Sequence, residues 1–154
     1  MLREGRFKLA APCGLYCGVC SNYVDGMCHG CGCTANDCFA GKKHVICSIY
    51  KCTLEKSVED CSLCRDFPCT KLIQFVYDPI MKTHSPAINN LERRRKIGVE
   101  AWLKEQEDYW KNNVDKFKEW IQFHEECKAK LNINSIDLNK SFQLNYLPFF
   151  IWLN

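Results

Sequence analysis

The sequence predicts a small, mostly α-helical protein with little strand, in which metal ions staple an irregular cysteine-rich N-terminal half with short helices. Three observations support this fold class. Twelve of the 13 cysteines lie between residues 13 and 69, and only 15 of the 58 residues from 12 to 69 are Leu, Ile, Val, Met, Phe or Tyr. Beyond residue 79, apolar residues recur at helical spacing. We therefore assign residues 1–78 to a metal-binding region and 79–154 to a helical region packed with it as one unit.

The cysteine-rich half has too few bulky apolar side chains to fold by hydrophobic burial alone, because a segment of this size is marginal even with a normal core. A structural zinc ion contributes an apparent binding free energy on the order of 10–16 kcal/mol in small peptides. We therefore interpret the cysteines as ligands that replace a core. The candidate ligands are Cys13, Cys17, Cys20, Cys28, Cys31, Cys33, Cys38, Cys47, Cys52, Cys61, Cys64 and Cys69.

The strongest single motif is Cys17-x2-Cys20-x7-Cys28-x2-Cys31. A CxxC turn lets two sulfurs reach one ion while backbone amides point at them, and two such turns complete a tetrahedron. In a reducing compartment this spacing favours metal binding over a redox-active thiol pair. His29 lies inside the second turn, where it could replace a sulfur as a ligand, but among so many thiols it is interpreted as a bystander.

The second block provides Cys47, Cys52, Cys61 and Cys64 for another four-sulfur site. A third site would take Cys13, Cys33, Cys38 and Cys69. In one alternative, Cys69 exchanges places with Cys47 or Cys52. In another, a third site is absent, and Cys33 and Cys38 are plain buried thiols. The sequence thus predicts two or three zinc ions. The alternative cofactor is a [4Fe–4S] cluster in an electron carrier, since Cys13-x3-Cys17-x2-Cys20 has a three-cysteine spacing that can wrap such a cluster.

Two short helices are predicted within the cysteine-rich half. One runs from about Ile46 to Lys56. The other starts near Asp66, with Pro68 in its first turn, and ends before Pro79. This second start places Cys69 near the positive end of a helix dipole, where a thiolate is favoured.

The helical half begins at Ser85-Pro86, a cap and first-turn pair, and continues into the charged run Arg93–Lys96, which is expected on a solvated face. Gly98 is expected to interrupt this helix. Beyond it, residues spaced three or four apart form an apolar stripe that predicts one long helix or two nearly continuous helices with a break at Asn112-Asn113. His124 on the stripe is expected to be packed and hydrogen-bonded, and Cys127 to be a small buried residue. The stretch 142–153 is expected to be a strand or extended tail.

Composition narrows the functional class. The formal charge is +3, but twelve thiolates would remove twelve charges and three Zn²⁺ would return six, which gives −3, so net charge shows no nucleic-acid footprint. An odd cysteine count and a polar start indicate a cytoplasmic protein rather than a secreted disulfide scaffold. No apolar run is long enough for a membrane span.

Common catalytic signatures are missing, so an enzyme is disfavoured and no catalytic residue is assigned. The helical half is the candidate surface for a protein or nucleic-acid partner.

The order of these motifs resembles domain-of-unknown-function family 3795, a group of cysteine-rich bacterial and archaeal proteins. The resemblance rests on Cys13-Gly-Leu-Tyr-Cys17-Gly-x-Cys20, the later cysteine pairs, Phe67-Pro68-Cys69, His84, Leu91, Gly98 and Trp102-Leu103, and it covers residues 10–110. It implies a soluble, presumed metal-binding protein without an established activity. Many members have a further cysteine pair after the tryptophan-bearing helix. This chain has only Cys127 there, so no additional terminal zinc ribbon is expected.

Overall fold

The computed structural model describes the backbone of residues 5–31 and 47–144 and the side chains of 7–31 and 47–132. Within those ranges the chain is mostly helical, as predicted. The α-helices are α1 (Ser21–Val24), α2 (Ser48–Glu55), α3 (Thr70–Val76), α4 (Ala87–Ile97), α5 (Val99–Asn112) and α6 (Val114–Leu144). Short 3-10 helices occupy Gly5–Leu9, Cys17–Val19, Cys61–Leu63 and Lys82–His84.

Extended pairing is minimal in the described part of the chain. It consists of an isolated antiparallel bridge between Ala10 and Tyr16. The bridge closes a tight loop in which Ala11 N–H donates to the Leu15 carbonyl at 3.1 Å and Gly14 N–H to the Ala11 carbonyl at 3.0 Å. This loop carries Cys13 and leads directly into Cys17, so it fixes the start of the cysteine-rich region.

Helices α2 and α3 occur close to their predicted positions. Helix α2 begins one residue after Cys47, which is its N-cap, and ends at Glu55. Helix α3 starts later than predicted, because Cys69 is its N-cap and Pro68 therefore precedes the helix rather than lying in its first turn. The Cys69 sulfur is nevertheless at the N-terminus of α3, where the helix dipole favours a thiolate.

The helical half divides at the two predicted points. Gly98 separates α4 from α5, and Asn113 separates α5 from α6. The entry to α4 differs by one residue, since Pro86 is the N-cap and the helix begins at Ala87. The backbone of α6 extends to Leu144, so the predicted tail at 142–153 is helical in its first three residues and otherwise lies outside the described residues.

In the part of the chain whose side chains the structure describes, two small apolar clusters form the core. In the first, Leu72 of α3 and Leu91 of α4 pack with Ala11 and Ile49 around the sulfurs of Cys13 and Cys17. In the second, Trp102 and Leu103 of α5 pack against Ala10. Both clusters lie between the loop at residues 10–17 and the helices, so the cysteine-rich half and helices α4 and α5 share their core.

The prediction that the basic run Arg93–Lys96 lies on a solvated face is wrong at one position. Arg94 is only 3% exposed, whereas Arg93, Arg95 and Lys96 are exposed. Arg94 follows the buried residues Ala87 and Leu91 by seven and three positions, which places it on the same inward face of α4. Burial of a guanidinium requires partners, and α5 and the loop at 11–15 provide them.

Candidate metal centre

The first group of sulfurs is built from two turns of the chain. Cys17 begins a 3-10 helix, and Cys20 is the N-cap of α1. The chain returns at Cys28, whose N–H donates to the Asn22 carbonyl at 3.0 Å. This bond holds the second CxxC turn against the first, so the two ends of the predicted motif lie side by side.

Backbone amides point at two of these sulfurs. Gly30 N–H donates to the Cys28 Sγ at 3.4 Å, and Cys31 N–H donates to the Cys17 Sγ at 3.2 Å. Amide hydrogen bonds favour the charged form of a sulfur. Cys31 is also hydrogen-bonded through its side chain to Cys17 and Cys28, and the bond to Cys17 is the main cause that raises the pKa of Cys31. Three sulfurs of the motif therefore lie together.

Cys20 lies at the edge of this group, beside α6. Burial raises the pKa of Cys20, and the charge of Cys28 adds to this effect, while backbone amides and Lys128 oppose it. Lys128 belongs to a contact between α6 and α1, in which its ammonium donates to the Asn22 Oδ1 at 2.8 Å and to the Ser21 Oγ at 3.2 Å. The first group is thus anchored to the helical half by the residues that follow Cys20.

The second group of sulfurs surrounds a small cavity of about 30 Å³ that is lined by Cys52, Cys61, Cys64 and Cys69. Such a volume exceeds the roughly 10–15 Å³ that a cavity needs to hold one water molecule. Three elements contribute: α2 carries Cys52, a 3-10 helix begins at Cys61 and is capped by Cys64, and Cys69 caps α3. The pKa of Cys61 is raised to about 12, mainly by burial, with smaller contributions from the charges of Cys69, Asp60, Cys52 and Cys64.

Lys56 adds a positive charge to the second group. Its ammonium lies 3.6 Å from the Cys64 Sγ and also pairs with Asp66. The hydrogen bond from Lys56 lowers the pKa of the Asp66 carboxyl. The Lys56 ammonium therefore stabilises a thiolate at Cys64 even without a bound metal ion.

The second sulfur group differs by one cysteine from the set that was predicted first, which contained Cys47. Cys69, rather than Cys47, lies with Cys52, Cys61 and Cys64, which is the exchange that the sequence left open. Cys47 is exposed and acts electrostatically on Cys13, whose pKa burial raises to about 12. Cys33 and Cys38 lie outside the described residues.

The histidines within the described residues have other surroundings. His29 is exposed. His84 stacks on Phe75 with ring centroids 3.8 Å apart. His124 is packed as predicted, because its Nδ1 accepts the Ser21 backbone N–H at 3.2 Å and lies 2.8 Å from the Ser21 Oγ. Cys127, nearly one helical turn further on, is buried as predicted. His44 lies outside the described residues.

The donor chemistry of both groups fits a thiophilic ion. Thiolates select Zn²⁺ and iron–sulfur clusters, and amides and a lysine point at the sulfurs. Within the described side chains, at residues 7–31 and 47–132, however, no three Cys, His, Asp or Glu groups are close enough to form a finished metal site. Four zinc-bound sulfurs each lie about 2.3 Å from the ion, so metal binding requires the sulfurs of each group to move closer together.

Arg94 also belongs to this region, although it was not predicted from the sequence. Its guanidinium donates to the carbonyls of Ala11 at 2.7 Å and Leu15 at 3.2 Å, on either side of Cys13. A signal was available, because Arg94 continues the three-and-four spacing of Ala87 and Leu91. The basic residues on both sides of Arg94 made the whole run resemble a solvent-exposed charged surface.

Comparison of the chain with known protein families, with curated proteins and with solved structures found no match. The resemblance to family 3795 therefore stays a prediction. Among the helices that the structure describes, none has both the length and the apolar character that crossing a membrane requires.

Proposed function

We propose that this chain is a zinc-binding protein in which two or three four-cysteine sites hold the N-terminal half together. The observation that carries the proposal is the convergence of Cys52, Cys61, Cys64 and Cys69 on one cavity of about 30 Å³. Four cysteines on the wall of one pocket provide the number of ligands that closes a structural zinc site, which leaves no open position for a substrate. The first group, with Cys17, Cys20, Cys28 and Cys31, is the second proposed site.

The surroundings of the first cysteines favour zinc over an iron–sulfur cluster. A [4Fe–4S] site on Cys13, Cys17 and Cys20 would need these three sulfurs to face one another. Instead, Cys13 is influenced by Cys47 and Cys61, and Cys20 by Cys28. Cys17 is hydrogen-bonded to Cys31. Cys13 and Cys17 share an apolar cluster, but the hydrogen bond of Cys31 to Cys17 and the influence of Cys28 on Cys20 support a shared site of the four cysteines in the two CxxC turns.

A recognition role for the helical half belongs to the same proposal. Tyr109, Val114 and Leu131 on α5 and α6 are each about half exposed, and a protein partner would need such side chains to form one continuous apolar patch. A nucleic-acid partner would instead give binding that weakens steeply with salt. Titration of the protein with a short DNA duplex at two salt concentrations separates the two cases. If no DNA binding occurs at either concentration, the nucleic-acid partner is excluded and the protein partner is the one that remains.

Metal analysis of protein purified without oxygen tests the proposal. We expect two or three zinc ions per chain and no visible absorption band, because zinc has a filled d shell. Cys64→Ala should lose about one equivalent of zinc, whereas Cys127→Ala, which removes a buried thiol outside both groups, should lose none. A brown protein with iron and labile sulfide would overturn the zinc assignment, and colourless, metal-free protein with intact helices would overturn metal binding altogether.

A further inference from the structure

The buried side chain of Arg94 is surrounded by groups from three separate parts of the chain. Its guanidinium donates to the Ala11 and Leu15 carbonyls. It lies 3.8 Å from the Asp60 carboxylate and 3.8 Å from the centre of the Trp102 ring. Both side chains of the ion pair are almost completely buried, at 2% and 8% exposure. The pair is therefore shielded from solvent, unlike the exposed pair that the neighbouring Arg93 forms with Glu105.

One side of this arrangement reaches the loop between the first cysteines. The Ala11 and Leu15 carbonyls lie on either side of Cys13, and Leu15 is two residues from Cys17. Asn90, one helical turn before Arg94, donates to the Gly14 carbonyl at 2.9 Å. Helix α4 thus holds three of the five residues from 11 to 15 by their carbonyls.

The other side reaches the second group. Asp60 precedes Cys61, and its Oδ1 accepts the Ser62 N–H at 2.8 Å, which caps the 3-10 helix that carries Cys61. The Cys61 N–H in turn donates to the Pro12 carbonyl at 3.0 Å. Arg94, the 11–15 loop and the residues around Cys61 therefore form a closed ring of contacts, which includes Cys61 of the second group and ends two residues before Cys17 of the first.

Because of these shared contacts, the folding of the residues around one sulfur group favours the folding of the residues around the other. If the residues around Cys61 came apart, a carboxylate and a guanidinium would lose each other in a buried setting, and breaking one partner of such a pair is strongly unfavourable. If the 11–15 loop came apart, Arg94 would lose two carbonyl acceptors. Metal binding that orders one segment therefore also favours the folded conformation of the other segment, to which its own metal ion would bind.

We propose that Arg94 is a positioning residue that couples the two sulfur groups, so that the chain takes up metal at both groups or at neither. The inference rests on the proposed zinc function. It adds to that function a regulation by metal supply: at limiting zinc, the population divides into loaded and metal-free molecules. Couplings of this kind typically change an affinity by about 5–150-fold.

Native mass spectrometry of the full chain with one equivalent of zinc tests this inference. For the wild type we expect metal-free and fully loaded species, with partly loaded species reduced at least about fivefold below a statistical distribution. Arg94→Lys keeps the charge but loses the planar fork that serves two carbonyls, and it should restore the partly loaded species. Asp60→Asn, which retains an oxygen for the Ser62 cap, should do so in a milder form.

Two control variants separate coupling from general loss of stability. Arg93→Lys changes the exposed neighbour that pairs with Glu105 and should retain the wild-type distribution. Leu103→Ala empties a fully buried position in the second apolar cluster and should lower the melting temperature while partly loaded species stay rare. A statistical distribution in the wild type, or an Arg94→Lys distribution like that of the wild type, overturns the coupling while zinc binding stands. Absence of bound zinc in the wild type overturns the proposed function first and the coupling with it.

Discussion

Gly14 is a position at which the cysteine-rich half approaches α4 very closely, and replacing it with alanine should separate the two. The residue has a φ of +101°, and a Cβ there would lie 2.2 Å from the Ala87 carbonyl oxygen and 2.7 Å from the Leu91 Cγ. The positive φ alone costs a residue with a side chain roughly 1–2 kcal/mol. The contact with backbone cannot be relieved by a rotamer change, and overpacking of this kind costs about 1–3 kcal/mol more.

Gly26 is a matched control for Gly14→Ala. It also has a positive φ, +71°, but a Cβ there would meet nothing within 4 Å. Gly26→Ala should therefore show only the conformational cost. The two variants should differ by about 2 kcal/mol, which corresponds to roughly 4–8 °C in melting temperature for a chain of this size.

The measurement is thermal unfolding of both variants, followed by circular dichroism in the same buffer and at the same zinc concentration. Equal melting temperatures would refute the reasoning, because they would show that the loop at 11–15 withdraws from α4 at little cost. A larger loss in Gly26→Ala would refute it as well. Zinc content, measured on the same samples, shows whether the displaced loop also weakens metal retention.

Three further predictions concern other contacts. Burial lowers the pKa of His84, so the folded state favours the neutral ring and loses stability as pH falls below about 6.5; His84→Gln should flatten the acid side of the melting-temperature profile, and an unchanged slope would contradict this. Lys128→Met removes the ammonium that joins α6 to Ser21 and should cost about 1–3 kcal/mol in thermal unfolding, whereas Lys130→Met, at an exposed position, should change stability by less than ~0.5 kcal/mol. Chelator should reduce helicity and unfold the N-terminal half, and a circular dichroism spectrum that survives complete metal removal would disprove the idea that metal replaces a core.

Local sequence signals predicted the helix boundaries well. Glycine and paired asparagines interrupt a helix wherever it packs, so the breaks at Gly98 and Asn113 followed from the residues alone. Proline is ambiguous within a residue or two, since its fixed φ suits the residues just before a helix as well as its first turn. The predicted starts of α3 and α4 were consequently early.

The grouping of sulfurs could be predicted only in part. Cys28 and Cys31 are near in sequence, so a turn brings them together, but the choice between Cys47 and Cys69 depends on how α2 and α3 pack. The burial of Arg94 was unpredictable for the same reason, because it depends on a hydrogen bond to the Ala11 carbonyl, roughly half the chain away in sequence. Short-range patterns do not contain that contact.

The two buried sulfurs of the first apolar cluster have a consequence for mutagenesis. Cys13 and Cys17 pack with Ala11 and Ile49, so each thiol fills space among apolar atoms in addition to any bond it makes to metal. A serine at either position would bury a hydroxyl there, with a penalty of about 1–3 kcal/mol that has nothing to do with metal. A scan with serine would thus overstate their importance as ligands relative to the half-buried Cys64, and alanine is the substitution whose effects can be compared across all positions.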